Sequence, residues 1–120
     1  MADELYADPC VADGRALSPE DIKRYVASLF AAFPDIRFTI EDAVEEGDRI
    51  ALRMTVRGTH RGDLLSPIGP LSPTGRSVSY TGMEWFRVAS GKIVEVRTYW
   101  DHLSLLRQLG ALPAPGPSAG

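Results

Sequence analysis

With 120 residues, the chain has room for one domain built around one hydrophobic core. Its composition, 44% hydrophobic and 24% charged, is that of an ordinary globular protein and excludes disorder over most of the length. A net charge of −3 with scattered basic residues leaves no footprint for nucleic acid, which needs clustered Lys and Arg.

No apolar stretch approaches the roughly 18 residues that cross a bilayer. The acidic start Met-Ala-Asp-Glu-Leu-Tyr lacks a signal core, so a cytoplasmic protein without a membrane partner is expected. Cys10 is the sole cysteine and builds neither a disulfide framework nor a four-ligand zinc site within one chain. Asp8 and Asp13 would raise its thiol pKa rather than activate it.

Ser18-Pro19-Glu20-Asp21 opens a helix: Ser18 caps, Pro19 suits the first helical position, and the two acids favour the positive end of the dipole. Ile22, Tyr25, Val26, Leu29, Phe30 and Phe33 then recur at helical spacing as one buried face, and Pro34 ends the run. From there the period becomes two. Ile36, Phe38, Ile40 and Val44 fall on one side of a strand, Arg37, Thr39, Glu41 and Glu45 on the other. Gly47-Asp48 is a hairpin connection.

The return strand puts Ile50, Leu52, Met54 and Val56 on one face and Arg49, Arg53 and Arg57 on the opposite, solvated face. Arg61 to Gly75, crowded with proline and glycine, reads as a long loop and a candidate for function. Strands over about 76–88 and 92–100 follow, joined at Ala89-Ser90-Gly91. A short helix begins near Asp101 and carries Leu103, Leu105, Leu106 and Leu109. The domain therefore spans 1–112, with a disordered Pro/Gly-rich tail at 113–120. Helix, antiparallel hairpins, then closing helix define an α+β fold with helices on one side of a curved sheet, enclosing a pocket.

Phe33-Pro34-Asp35, Gly47-Asp48-Arg49, Gly58-Thr59-His60-Arg61-Gly62, Pro73-Thr74-Gly75-Arg76, Phe86-Arg87, Gly91-Lys92-Ile93-Val94-Glu95, Asp101 and Gln108-Leu109-Gly110 stand in the order found in SnoaL-like proteins. Over residues 3–112 the chain resembles that family of the NTF2-like superfamily, whose best-known members are polyketide cyclases closing rings by intramolecular aldol chemistry. The resemblance implies an NTF2-like cone, a curved antiparallel sheet wrapped around helices. One departure is visible: relatives begin with a helix ahead of a segment like Asp3–Ala7, which here follows Met1 almost directly.

The resemblance also implies a role for Asp101, since an aspartate at the end of the last strand is a general acid/base in the cyclases. Held between Trp100 and Leu103 at an apolar cavity, it would be desolvated and inclined to accept a proton. The same residue is equally suited to cap the following helix. Counting by two from Ile50 places His60 on the apolar face, where it could polarise a carbonyl or simply sit hydrogen-bonded at the cavity mouth.

Tyr80, Glu84 and Phe86 share one face of the third strand. Glu95, Arg97, Tyr99 and Asp101 share one face of the fourth, opposite Val94, Val96, Thr98 and Trp100. If the first faces look inward, Arg97 could pair with Glu84 or Glu95. If not, Trp85, Val94, Val96, Thr98 and Trp100 line the pocket. Parity alone leaves both open. Tyr80, Glu84, Phe86, Arg97, Tyr99 and Trp100 are thus the candidate substrate-binding residues, with Asp101 and His60 the candidate catalytic ones.

Neither histidine has metal-ligand spacing, and no phosphate loop or dinucleotide fingerprint occurs, so no metal or cofactor is expected. An epoxide hydrolase of the limonene type, which shares the fold, would need an acid where Thr98 stands. The expectation is a cofactor-free cyclase or isomerase acting on an apolar, polyketide-like carbonyl compound, and a homodimer formed through the open sheet face. The alternative is a non-catalytic ligand-binding or dimerisation module on the same fold.

Overall fold

The computed structural model describes residues 2–112; the expected tail at 113–120 lies outside the described residues. In chain order the elements are α1 (Ala2–Leu5), β1 (Tyr6–Ala12), β2 (Arg15–Leu17), α2 (Pro19–Ala32), β3 (Arg37–Glu46), β4 (Arg49–Thr59), β5 (Leu64–Ser66), β6 (Gly69–Leu71), β7 (Ser77–Ala89), β8 (Lys92–Trp100) and α3 (His102–Gln108). No described helix is long and apolar enough to cross a membrane.

The start of α2 is a reciprocal cap. The Asp21 N–H donates to Ser18 Oγ (3.2 Å) and the Ser18 N–H to Asp21 Oδ2 (2.9 Å), satisfying donors that the first helical turn leaves free. The Ser18 N–H, together with the Ser18 hydroxyl that donates to the same Asp21 Oδ2 (3.1 Å), holds the Asp21 carboxyl below its ordinary pKa. At the far end Phe33 donates its N–H to the Leu29 carbonyl and turns its ring into the core, so Pro34 follows a helix already closed.

Six strands form one sheet in the order β2-β1-β8-β7-β4-β3, and β5 and β6 make a separate two-stranded ribbon. The sheet is mixed rather than wholly antiparallel, because β1 runs parallel to β8. Nothing in the local pattern announces this. All of α2 and the central hairpins lie between the two strands, a connection long enough to permit either direction.

Two further features depart from the sequence reading. The segment before α2 is a hairpin, β1–β2, turning at Asp13 and Gly14 with φ of 50° and 83°. The Arg61–Gly75 loop contains the β5–β6 ribbon, with Leu64 opposite Leu71.

Strand β3 corrects a parity. Its register with β4 slips between Ile40 and Asp42. Phe38 and Ile40 pair with Val56 and Met54, but beyond the slip Ala43 and Glu45 pair with Leu52 and Ile50. Val44 therefore turns to the face opposite Phe38 and Ile40, because one extra residue inverts every later side chain.

The concave face of the sheet has two halves. At one end Phe33, Val56, Leu64, Val78, Tyr80, Leu105 and Leu109 pack into a closed core against Trp100 and Leu71. Helix α3 is fastened there by Gln108, whose Nε2 donates to the Ser79 carbonyl and whose Oε1 accepts from the Ser79 N–H, both at 2.8 Å. Its amide thereby completes the β7 edge where the β8 pairing has ended. At the other end Ile50, Leu52, Glu84 and Phe86 share the face, and it stays open along β3, where Phe38 and Ile40 are exposed.

A candidate active site on the open half of the concave face

The register of β7 with its neighbours settles which faces look inward. Glu84 lies opposite Thr98 on β8 and Leu52 on β4, and Phe86 lies opposite Val96 and Ile50. Tyr80, Glu84 and Phe86 therefore share the concave face with Val96, Thr98 and Trp100. Trp85 is turned to the convex side, beneath the Arg49 guanidinium at 6.0 Å from its ring centroid.

Glu84 is half-buried among these apolar neighbours, and no described residue hydrogen-bonds or ion-pairs with its carboxylate. Burial raises its pKa, and the charge of Asp13 raises it further. Two phenols from other elements lie within reach of its charge. Tyr6 from β1 and Tyr25 from α2 both feel the Glu84 charge, and burial is the larger cause of their own raised pKa values. Tyr80, pushed up to about 12 chiefly by burial, stands edge-on to Trp100 with ring centroids 5.9 Å apart. Such hydroxyls stay protonated near neutrality and act as hydrogen-bond donors.

Asp13 is the residue that parity counting missed. Sitting in the β1–β2 turn, it donates its N–H to the Val96 carbonyl (2.9 Å). Its two carboxylate oxygens accept from the Thr98 N–H and the Thr98 hydroxyl, both at 2.8 Å. An Asp-Gly pair between two strands was its only local signal.

Asp101 is exposed and caps α3. Its Oδ1 accepts from the Ser104 N–H (3.0 Å), and its own N–H donates to the Thr81 carbonyl. It lies at the rim, directly beyond Trp100. His60 is fully buried, with its ring 5.6 Å from that of Phe33. The Thr74 N–H donates to its Nδ1 (3.2 Å), and the Thr74 hydroxyl lies 3.0 Å from the same atom. Nδ1 thus accepts, the neutral ring carries its proton on Nε2, and that atom has no partner among the described residues.

The structure does not bring Asp101 and His60 together. Asp101 is bonded to Thr81, which faces Thr55, and His60 lies five residues further along the chain. That separation is about 16 Å of strand. Glu84 is further still from His60, since its partner Leu52 is eight residues away, about 26 Å.

Arg97 and Tyr99 also lie apart from the concave face, exposed on the convex side. Arg97 Nε donates to Glu95 Oε2 (3.1 Å), and Arg87 Nε approaches Glu95 Oε1 at 3.4 Å, so the pairing with Glu84 is not formed. Cys10 is buried on β1. Burial raises its thiol pKa and Glu95 adds to it, rather than the neighbouring acids Asp8 and Asp13.

A sheet curved around two helices, with a carboxyl and phenols on its concave face, defines the class: an α+β domain of the NTF2-like type. A profile of SnoaL-like polyketide cyclases matches residues 1–109, and the chain belongs to that family. AclR from Streptomyces galilaeus, described as a proposed hydroxylase, is 32% identical with a TM-score of 0.76, the match covering 92% of this chain and 80% of AclR. IdmH from Streptomyces antibioticus, a proposed polyketide cyclase, is 31% identical with a TM-score of 0.75 and coverage of 91% and 84%. TsrD from Streptomyces laurentii is 26% identical with a TM-score of 0.82 and coverage of 92% and 81%. No curated protein matches the sequence significantly.

Proposed function

We propose that this protein is a cofactor-free cyclase or isomerase of the SnoaL type, moving a proton on an apolar, polyketide-like carbonyl compound. The observation that carries the reading is Glu84, a carboxyl with no cationic partner among the described residues, held on an apolar face. Desolvation makes it a stronger base once ionised and lets it hold the proton it has taken.

Glu84 removes the proton α to the substrate carbonyl. A phenol of Tyr25 or Tyr6 donates a hydrogen bond to the enolate oxygen that forms, and protonated Glu84 returns its proton to the new alkoxide after ring closure. General acid–base catalysis of this kind contributes about 10²–10⁴-fold, so orientation against the concave face must supply much of the remainder. Val26 and Phe30 of α2 and Phe38 and Ile40 of β3 are exposed apolar side chains suited to a nonpolar skeleton.

Asp101 is the second carboxyl in play, through its position at the end of the last strand in the cyclases. Both assignments are separated by one experiment: exchange of α-protons of apolar β-dicarbonyl compounds in D₂O, followed by NMR. The expected result is loss of catalysed exchange in Glu84→Gln and retention in Asp101→Asn. The reverse pattern would move the proton acceptor to Asp101. Binding without exchange in the unaltered protein would favour the non-catalytic binding module. The proposed assembly is a homodimer through the convex face, where Met83 and Tyr99 are exposed opposite each other, and sedimentation velocity tests it.

A further inference from the structure

The turn of the β1–β2 hairpin is tied to the site through Asp13. Asp13 grips Thr98 by two hydrogen bonds, and Thr98 is the direct cross-strand neighbour of Glu84 on the concave face. We propose that Asp13, Thr98 and Glu84 form one proton-handling unit, in which the Asp13 carboxylate, fixed by Thr98, biases Glu84 toward its protonated, acid form. The inference rests on the reading of Glu84 as the acid/base, and it makes Asp13 a positioning residue.

The physical argument is a like-charge one. Both oxygens of Asp13 accept hydrogen bonds from a single residue, which pins its charge in place. Glu84 has no such donors, so of the two carboxyls it is the one that bears the cost of a second negative charge nearby. The groups around the pair do not neutralise it. Tyr6 and Cys10 of β1 and Tyr25 of α2 are phenols and a thiol, all with raised pKa values. Among the described residues no Lys or Arg forms an ion pair with Asp13 or Glu84.

The test needs no substrate. The Glu84 side-chain carboxyl is followed by ¹³C NMR through a pH titration in the unaltered protein, in Asp13→Asn and in Thr98→Val. Asp13→Asn keeps an acceptor for the Thr98 N–H and removes the charge. Thr98→Val keeps the charge and removes one of its two tethers. The expected result is a Glu84 midpoint above that of an ordinary glutamate, lowered in Asp13→Asn, as removal of a nearby like charge requires. A smaller fall is expected in Thr98→Val. A raised midpoint that neither variant lowers would overturn this inference and leave Glu84 as the acid/base. An ordinary midpoint in the unaltered protein would overturn both. Should Asp13→Asn fail to fold, Thr98→Val carries the comparison alone.

Discussion

Gly82 sits in the interior of β7, opposite Met54 on one side and Trp100 on the other, and a methyl group placed there separates two opposing effects. Its backbone is not in the left-handed region, so alanine is conformationally acceptable. On that ground alone Gly82→Ala would stabilise by about 0.5–1 kcal/mol, since glycine loses more chain entropy on folding. The Trp100 ring opposes this. A Cβ at position 82 would stand 2.6 Å from Cδ2 and 2.8 Å from Cζ3 of the indole, well inside contact distance.

Overpacking of this kind costs about 1–3 kcal/mol, so the net expectation is a loss of about 0.5–2 kcal/mol. At about 4 °C per kcal/mol for a domain this size, the melting temperature falls by about 2–8 °C. Thermal unfolding monitored by circular dichroism measures it. In a Trp100→Leu background the same substitution should become neutral or stabilising, giving a coupling of about 1 kcal/mol or more. A Gly82→Ala variant more stable than the parent would refute the packing argument and with it the seating of Trp100 over β7.

Gln108→Leu removes both bonds to the Ser79 edge and should cost about 1–3 kcal/mol, read from the urea midpoint at unchanged slope. For Asp35, whose oxygens accept from the Thr59 N–H and hydroxyl, those bonds lower the carboxyl pKa. Its stabilisation is therefore full above the unfolded-state value and lost as pH falls through the folded one, and Asp35→Asn should flatten the acid limb of melting temperature against pH. Glu84 has the opposite sign. Its raised folded pKa means that ionisation destabilises, so Glu84→Gln should gain stability near neutrality and lose that gain as pH drops below the ordinary carboxylate value. Asp101→Ala should cost about 1 kcal/mol through loss of the α3 cap, measured by thermal unfolding.

The local signals were dependable for the caps and for β4, whereas the face of α2 expected to be buried leaves Val26 and Phe30 exposed. The Ser18–Asp21 cap, the Pro34 stop and the clean alternation of β4 each depend on residues a few positions apart, and each appears where the pattern placed it. Parity failed at β3, because a register slip at Glu41 leaves no trace in composition. The β1–β2 hairpin was missed because its strands are short and their apolar residues few.

What the sequence by itself determined is the α+β architecture, the cap chemistry and the inward run of β4, all consequences of short-range periodicity. The site was decided by tertiary structure. Whether Glu84 faces inward depends on its pairing with Thr98, and whether Asp13 reaches it depends on a parallel contact between strands separated by most of the chain. Desolvation and charge–charge coupling act through space, and a linear pattern carries no record of which distant groups are brought together.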